Sequence, residues 1–351
     1  MQLSNIKKIR EKFKEYKIES FIVNNPSDLF YLTGCNFSDY WFVITENESI
    51  AFSSKMLYSQ IKDNLNTKIV LFDSFDDFSS KLEKFLKKRK IKNLGVDSSS
   101  IFLEIFQKIK KRVKNINWKF IPEFVKKIRE IKTENEVELI REACKISVRV
   151  LSMIRKYLKP GVREKWISDM ICSLFYKLGA EPAFIPIVAS GPNSAYPHHV
   201  SSDRSIKEND IVLIDLGCKF NGYCSDLTRT FFLGKIKKLY KKIFYLVEKA
   251  QKSAFREIYP GRKVSQLDIS VREIIKSAGF GKYFLHRTGH GIGIEVHELP
   301  IVVKNSNVVL KKGMVFTIEP GIYIQNFGGV RIEDTVLVTD TGYEILTGSP
   351  L

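Results

Sequence analysis

The amino-acid sequence places two aspartates beside or inside apolar, strand-like runs. Asp215 lies within the run 211–216 (IVLIDL), and Asp226 follows the turn-forming sequence KFNG. A carboxylate in such a run is costly unless it is paired or binds a metal ion. If Cys218 pairs with Tyr223 across the turn, Asp215 lies directly opposite Asp226. Two opposed carboxylates need a cation between them, so we interpret this hairpin as half of a metal site.

A second segment repeats the arrangement with two glutamates. Glu319 lies in MVFTIEPG, and Glu333 lies in GGVRIED. A single glutamate in a strand is usually an exposed polar position, and Glu333 on its own fits that description. Because four acids occupy corresponding elements of two hairpins, we interpret all four as members of one site.

The histidines are concentrated in one third of the chain. All five lie between positions 198 and 297, at His198, His199, His286, His290 and His297. Glycines flank His290 on both sides, which lets another backbone approach closely. Four carboxylates and the His290 imidazole form a hard, oxygen-rich donor set that suits manganese, cobalt, iron or zinc. Two divalent ions fit four acids better than one.

An internal repeat with an offset of 100 residues accounts for these paired hairpins. Pro160-Gly161 corresponds to Pro260-Gly261, and Gly179 corresponds to Gly279. Apolar residues with helical spacing lie between these markers in both copies. Helices predicted over 134–157 and 239–258 precede the copies, and strand pairs predicted over 211–233 and 314–339 follow them. The order predicts an α+β domain with a pseudo-twofold helix-helix-hairpin repeat, a central sheet and outer helices.

The region before this repeat alternates helical and strand patterns. We expect helices over 6–16, 80–90 and 101–114 and strands over 20–23 and 94–96. This pattern predicts an α/β module that ends near Pro122. We therefore predict two domains, 1–124 and 125–351. The spacing of Thr133 and Glu136 is that of a capping box at the start of the first long helix.

Composition bounds the location and the partners of the protein. The 351 residues show no secretory leader and no apolar run long enough to cross a bilayer. Five scattered cysteines without CxxC spacing argue against a disulfide framework and a cysteine zinc site. We expect a cytoplasmic protein that is not associated with a membrane. The net charge of +18 raises the question of nucleic acid, but no nucleic-acid motif accompanies it, so we do not expect that partner.

These motifs resemble those of the pita-bread metallopeptidases. The resemblance is carried by Asp215 and Asp226, the sequence HRTGHGIGIEVHELP from position 286, and the two glutamate motifs. The family includes methionine aminopeptidase, aminopeptidase P, prolidase and creatinase. The first domain resembles the creatinase/prolidase-type N-terminal domain, and the second resembles the pita-bread catalytic domain. The resemblance places this chain in the Xaa-Pro peptidase branch.

The resemblance implies roles for nine residues. It implies two divalent ions, foremost Mn²⁺ with Co²⁺, Zn²⁺ and Fe²⁺ as alternatives. They are held by Asp215, Asp226, His290, Glu319 and Glu333. It implies that the ions activate a shared water, with Glu319 also accepting its proton. Catalytic roles fall on His198, His297 and Glu319, and substrate contacts fall on His198, His286, His297 and Arg331.

Several alternatives remain open from the sequence. The resemblance implies hydrolysis of Xaa-Pro bonds in proline-containing peptides, by an Xaa-Pro aminopeptidase like aminopeptidase P. The alternative is an Xaa-Pro dipeptidase (prolidase), and a further alternative is a catalytically inactive binding protein with the same fold. By analogy to relatives we expect a homodimer. His199 stands where the family often has glycine, and we expect its side chain to be exposed.

Overall fold

The protein is described by a computed structural model that covers residues 2–37 and 39–348. Contacts divide the chain into two compact units between Arg129 and Glu130. The division predicted after residue 124 lies five residues earlier, and its position stays a prediction. None of the helices in the described ranges is long and apolar enough to cross a membrane.

The first unit is an α/β fold with one six-stranded sheet, whose strand order is β4-β3-β2-β1-β5-β6. Its strands are β1 (Ser20–Val23), β2 (Tyr40–Thr45), β3 (Ser49–Ser54), β4 (Lys68–Phe72), β5 (Asn93–Val96) and β6 (Asn117–Phe120). Its helices are α1 (Gln2–Glu11), α2 (Phe13–Tyr16), α3 (Pro26–Thr33), α4 (Tyr58–Asn64), α5 (Phe75–Lys88), α6 (Leu103–Arg112) and α7 (Phe124–Arg129). The predicted α/β class of this unit is confirmed.

Two helices of the first unit differ from their predicted bounds, and one strand agrees with them. The helix predicted over 80–90 begins at Phe75, because the Ser74 side chain accepts a hydrogen bond from the backbone N–H of Asp77 and caps the earlier start. The helix predicted over 6–16 is two helices separated at Lys12. The strand predicted over 20–23 has those bounds in β1, which is buried along its whole length.

The second unit contains the repeat. Its helices are α8 (Glu134–Arg155), α9 (Glu164–Lys177), α10 (Lys238–Arg256) and α11 (Val264–Ser277). Its strands in the first half are β7 (Glu181–Pro182), β8 (Ile187–Ser190), β9 (Ile211–Leu216), β10 (Cys218–Phe220), β11 (Tyr223–Cys224) and β12 (Leu227–Phe232). Those in the second half are β13 (Gly289–Gly291), β14 (Glu298–Val302), β15 (Val315–Ile318), β16 (Gly321–Ile324), β17 (Gly328–Arg331), β18 (Asp334–Val338) and β19 (Tyr343–Ile345). The capping box that starts α8 is present as predicted.

The two halves follow the predicted 100-residue offset closely. Helices α9 and α11 begin and end 100 residues apart. Gly161 and Gly261 both have φ of 91°, and Gly179 and Gly279 have φ of 76° and 84°. These backbone conformations are open to glycine at low cost, which explains the shared glycines. The pseudo-twofold repeat is therefore confirmed in the backbone.

The predicted central sheet is divided into shorter sheets. The first half forms the sheets β11-β10-β7 and β12-β9-β8, and the second forms β14-β13-β15-β18-β19 and β16-β17. A backbone bridge between Thr228 and Glu333 joins the halves. Each half also has its own buried apolar core, packed between its helix pair and its strands.

The register of the first hairpin corrects a sequence prediction. Phe220, not Cys218, pairs with Tyr223, so the turn is Asn221-Gly222 alone. Both turn residues have positive φ (47° and 85°), the backbone of a two-residue type I′ turn that Asn-Gly favours.

The same register continues along the hairpin and places Thr228 opposite Asp215. The predicted direct opposition of Asp215 and Asp226 is wrong. Because the correction is a shift of two residues, both aspartates keep the same face of the hairpin.

Candidate active site

One cavity of the second unit gathers every site residue predicted from the sequence. Its volume is about 750 Å³. The nine predicted residues that line it are His198, Asp215, Asp226, His286, His290, His297, Glu319, Arg331 and Glu333. The remaining lining residues are Ala183, Phe184, Ile185, Ile187, Pro197, Arg287 and Val296. The structure thus brings the predicted residues together, while their individual roles stay predictions.

The aspartates of the first repeat are set by a break in their hairpin. Asp215 lies within β9, and Asp226 lies in the gap between β11 and β12. At this gap the backbones approach so closely that a Cβ on Gly217 would come 2.1 Å from the carbonyl oxygen of Ser225. Glycine at position 217 therefore permits the kink that accompanies Asp226.

The glutamates of the second repeat flank a similar break. The pairings of β15 with β18 and of β16 with β17 have one common register, which brings Glu319 opposite Glu333. The Thr228 hydroxyl donates to Glu333 Oε2 at 2.6 Å, and the Glu333 N–H donates to the Thr228 carbonyl at 3.1 Å. The first repeat therefore positions an acid of the second.

His290 is held between two closely packed strands. A Cβ on Gly289 would lie 1.8 Å from the Thr317 carbonyl oxygen, so glycine is required there. His290 Nδ1 donates to the Gly291 carbonyl at 3.1 Å, which leaves Nε2 facing the acids. Nε2 lies 3.6 Å from Asp226 Oδ2 and 3.6 Å from Glu319 Oε1.

The buried acids and His290 of this cluster have pKa values far from their usual ranges. Burial and then the neighbouring carboxylates raise the pKa values of Asp226 and Glu333 well above their usual range. Burial raises the pKa of Glu319 to about 8, although the Arg331 charge opposes the change. Burial, aided by the charge of His297, lowers the pKa of His290 to about 4, so its imidazole is neutral at pH 7. A buried group of acids around a neutral imidazole favours a bound cation.

Two buried carboxylate oxygens point to metal binding in particular. Among the described residues, neither Asp215 Oδ1 nor Asp226 Oδ1 has a hydrogen-bond partner. Asp226, His290 and Glu333 each offer a ligand atom, and these three atoms lie within 4.8 Å of one another. Carboxylate oxygens with one imidazole suit hard or borderline divalent ions. The residues present therefore fit the metal that the sequence predicts.

Arg331 connects Asp215 to His286 through the Tyr323 hydroxyl. Its guanidinium donates to Asp215 Oδ2 at 2.6 Å and to the Tyr323 hydroxyl at 2.8 Å. The Tyr323 hydroxyl donates in turn to His286 Nε2 at 2.8 Å, while His286 Nδ1 donates to the Arg287 carbonyl at 2.7 Å. Burial, with the Arg331 charge, lowers the pKa of His286 to about 3. His286 is thus a neutral, fixed part of the wall.

The two remaining histidines are exposed to the cavity. The rings of His290 and His297 meet edge to face with centroids 4.4 Å apart. His198 follows Pro197, whose carbonyl accepts a hydrogen bond from Arg331 at 3.3 Å. Both histidines are therefore placed to contact a ligand that enters the cavity.

Sequence reasoning missed several residues of the site. Thr228 supports both Glu333 and Arg331, and Tyr323 links Arg331 with His286. Strand alternation supplied a signal for both, because each is an even number of residues from a predicted acid. Phe184 and Ile185 line the cavity from a segment without such periodicity, and nothing in their spacing indicates it.

The structure corrects the expectation for His199. Its side chain is 13% exposed, and its Nε2 donates to the buried carboxylate of Glu164 at 2.9 Å. His199 is absent from the cavity lining, although its neighbour His198 belongs to it.

Comparison with family models settles which protein family has this fold and cavity. Residues 138–340 match metallopeptidase family M24, and residues 5–131 match the Creatinase/Prolidase N-terminal domain. This chain belongs to metallopeptidase family M24. Membership confirms the predicted pita-bread resemblance and implies divalent metal ions for the cavity.

Individual members of the family are similar over nearly the whole chain. An Xaa-Pro dipeptidase of Pyrococcus furiosus is 36% identical over 97% of each chain. The crystal structure of a prolidase from Pyrococcus horikoshii superposes with a TM-score of 0.92 at 35% identity, over 99% of each chain. An X-Pro aminopeptidase structure from Thermotoga maritima has a TM-score of 0.88 at 32% identity and covers 97% of this chain and 98% of its own.

Proposed function

We propose that this protein is a metal-dependent Xaa-Pro peptidase of the dipeptidase type. The buried cluster of four acids and His290, with two carboxylate oxygens unpartnered among the described residues, carries the proposal of metal-dependent chemistry. The Xaa-Pro specificity is supported by the similar proteins from Pyrococcus. They favour the dipeptidase alternative over the aminopeptidase that the sequence placed first.

The metal-binding role is assigned to Asp215, Asp226, His290, Glu319 and Glu333, with two Mn²⁺ ions as the expected complement and Co²⁺, Zn²⁺ or Fe²⁺ as alternatives. Such ions supply Lewis acidity, which acidifies water and polarises a carbonyl group. Four ionised acids and Arg331 carry a net charge of about −3, and this negative excess favours the binding of divalent cations. The ion pair of Arg331 with Asp215 Oδ2 fixes one oxygen of that carboxylate, and its buried Oδ1, which has no hydrogen-bond partner among the described residues, stays available for a metal ion.

The other cavity residues are assigned to substrate. His198 and His297 project imidazole groups into the cavity, where either ring donates to a carbonyl oxygen of the peptide. Glu319 accepts a proton during attack on the scissile bond. His286 and Arg331 form the polar wall that receives the proline side. Phe184, Ile187 and Val296 supply apolar surface for the substrate's own side chains.

The remaining assignments extend this proposal to the cell. We expect a cytoplasmic homodimer that acts on short proline-containing peptides. A dipeptidase must reject chains that continue beyond proline, so peptide length is the property that separates it from an aminopeptidase.

The test is an assay of metal-stripped protein reloaded with Mn²⁺, Co²⁺ or Zn²⁺. The substrates are Ala-Pro, Ala-Pro-Ala and Ala-Ala-Ala, and Asp226→Ala is the inactive control. Metal-dependent cleavage of Ala-Pro alone is the expected result. Cleavage of Ala-Pro-Ala would instead establish an aminopeptidase. Absence of metal-dependent hydrolysis of both proline peptides would overturn the enzymatic proposal and favour a binding protein.

A further inference from the structure

The loop that carries His198 is organised around a buried carboxylate outside the cavity. We propose that Glu164 is a positioning residue that holds the segment 190–202, and with it His198, in the orientation that substrate requires. The inference rests on the proposed peptidase function and adds to it a residue that the cavity itself does not include.

Glu164 is the first residue of α9, and its side chain is fully buried. Its Oε1 accepts hydrogen bonds from the Ser190 N–H and hydroxyl, both at 2.7 Å, and from Asn193 Nδ2 at 3.1 Å. Its Oε2 accepts from His199 Nε2 at 2.9 Å and from the Ser202 hydroxyl at 2.8 Å and N–H at 3.2 Å. The donors come from the start, the middle and the end of the segment, so one carboxylate fixes its whole course.

The backbone at the start of α9 reinforces this attachment. The N–H groups of Glu164 and Lys165 donate to the carbonyls of Arg204 and Ser202 at 3.1 and 2.9 Å. The first N–H groups of a helix have no partner within the helix, and their dipoles favour a nearby negative charge. The helix end therefore binds carbonyls at and just beyond the end of the segment, while the side chain of Glu164 binds the segment's hydrogen-bond donors.

The negative charge of Glu164 is central to the arrangement. Burial on its own raises the pKa of this carboxyl, but hydrogen bonds from His199, Ser190 and Ser202 outweigh it and lower the pKa to about 2. The group is therefore ionised at neutral pH and acts only as an acceptor. Glutamine has nearly the same shape, but one of the two acceptor oxygens is replaced by an NH₂ donor. That NH₂ group would face other hydrogen-bond donors.

His199 connects this anchor directly to the cavity. It is bonded to Glu164 on one side, and through the backbone it is joined to His198, which lines the cavity. The opposite side of the segment is held by the second repeat: Arg331 donates to the Pro197 carbonyl at 3.3 Å, and the Gly329 N–H donates to the Ser194 hydroxyl at 2.9 Å. His198 thus lies on a segment that is held by Glu164 on one side and by the second repeat on the other. Loss of the Glu164 carboxylate would remove the hydrogen bonds on the first side.

The decisive experiment is a double-mutant cycle between Glu164→Gln and His198→Ala in Mn²⁺-loaded protein with Ala-Pro as substrate. Misplacing a substrate-contacting group by about 1 Å costs up to about 100-fold in rate. We expect Glu164→Gln to lower kcat/KM by about 10- to 100-fold in the wild-type background, chiefly through kcat. In the His198→Ala background we expect less than about a twofold further loss, because the positioned group is already absent.

A second pair of variants tests the path through His199 without altering Glu164. The amide nitrogen of glutamine reaches toward the position of His199 Nε2 and keeps a donor for Glu164. We therefore expect His199→Gln to retain most activity and His199→Ala to lose kcat/KM in the same sense as Glu164→Gln. This pair gives the answer even if Glu164→Gln fails to fold.

Asp97→Asn serves as the matched control for general destabilisation. Asp97 is a buried carboxylate of the first unit that accepts bonds from the N–H groups of Ser99, Glu123 and Phe124. We expect Asp97→Asn to lower the free energy of unfolding but to leave kcat/KM unchanged, both in the wild-type protein and in the His198→Ala variant. All assays are run well below the unfolding temperature of each variant.

The outcomes separate this inference from the proposed function. If wild-type protein cleaves Ala-Pro but the effects of Glu164→Gln and His198→Ala multiply independently, Glu164 has only a structural role and the inference is wrong. Equal activities of His199→Gln and His199→Ala would also overturn it. If wild-type protein has no metal-dependent activity while binding Mn²⁺, the proposed function fails first, and the inference fails with it.

Discussion

The two repeats of the second unit share a backbone but hold their loops by different means. In the first repeat, Glu164 at the start of α9 binds the segment before β9. Its counterpart in α11 is Val264, which is apolar and buried. There the anchoring group is Asp268, one turn later: its Oδ1 accepts from the Thr288 hydroxyl at 2.7 Å, and its Oδ2 accepts from Arg272 Nε at 2.7 Å.

This difference separates the features that the two halves have in common from those that are particular to one half. Helix lengths and glycine conformations are common to both halves. The polar anchors differ, yet each holds a loop that carries a cavity histidine, because Arg272 also donates to the His286 carbonyl at 2.7 Å. The repeat therefore supplies the frame, and individual buried charges adapt each half to its own histidine.

The strongest test of the comparison removes one acid from each repeat. We expect Asp226→Ala and Glu333→Ala each to lower kcat/KM by more than about 100-fold, the upper end of what loss of a supporting group around a metal causes. Bound metal, measured by elemental analysis after dialysis, should fall in both variants. Full activity and metal content in either one would show that the two halves do not contribute equally to the site.

The next largest effect is expected at the anchor of the second repeat. Asp268→Asn weakens the bonds to Thr288 and Arg272, and we expect kcat/KM for Ala-Pro to fall by about tenfold. Because Glu164 and Asp268 have no common partner in the described hydrogen bonds, the effects of the two variants should add as free energies. A strong interaction between them in the double variant would mean that the loops are not held independently.

Removal of metal should make the stability of the protein depend on the ionisation of the buried acids in the cavity. Glu319 has its folded-state pKa raised to about 8 from the ordinary 4.5. Its contribution to stability is thus fully present below about pH 4.5 and is lost as the pH rises through about 8. We expect the melting temperature of chelated protein to fall between pH 5 and 8, and Mn²⁺ to reduce this fall. Chelated Glu319→Gln should show a weaker pH dependence, and an identical dependence would contradict the assignment.

The smallest expected effect concerns Glu164 in acid. Its folded-state pKa is lowered to about 2, so its contribution to stability is present above about pH 4.5 and is lost as the pH falls toward 2. Denaturant unfolding of wild type and Glu164→Gln should therefore differ most above pH 4.5, with a difference that narrows at lower pH. A difference that stays constant across this range would indicate lost packing rather than lost charge.

The repeat of the second unit and the acidic residues that line the cavity could be predicted from the sequence. Glycines that need positive φ marked the repeat, and acids in apolar runs marked the site. The hairpin register was mispredicted, because a four-residue turn was assumed where Asn221-Gly222 forms the complete turn. Glu164 was missed, because its partners lie 26 to 38 residues away and a glutamate at the start of a helix is ordinary. Long-range partners of that kind leave no local pattern.

Two carboxylate oxygens, Asp215 Oδ1 and Asp226 Oδ1, lack a hydrogen-bond partner among the described residues, and this has a consequence for the abundance of the protein in a cell. Ions that bind the folded chain and not the unfolded one stabilise it by about 2.7 kcal/mol when their free concentration is 100 times the dissociation constant. If the cavity binds the proposed divalent ions, a shortage of metal would leave a larger fraction of chains unfolded at any moment and open to proteolysis. Metal supply would then set how much of the protein survives as well as how fast each copy works.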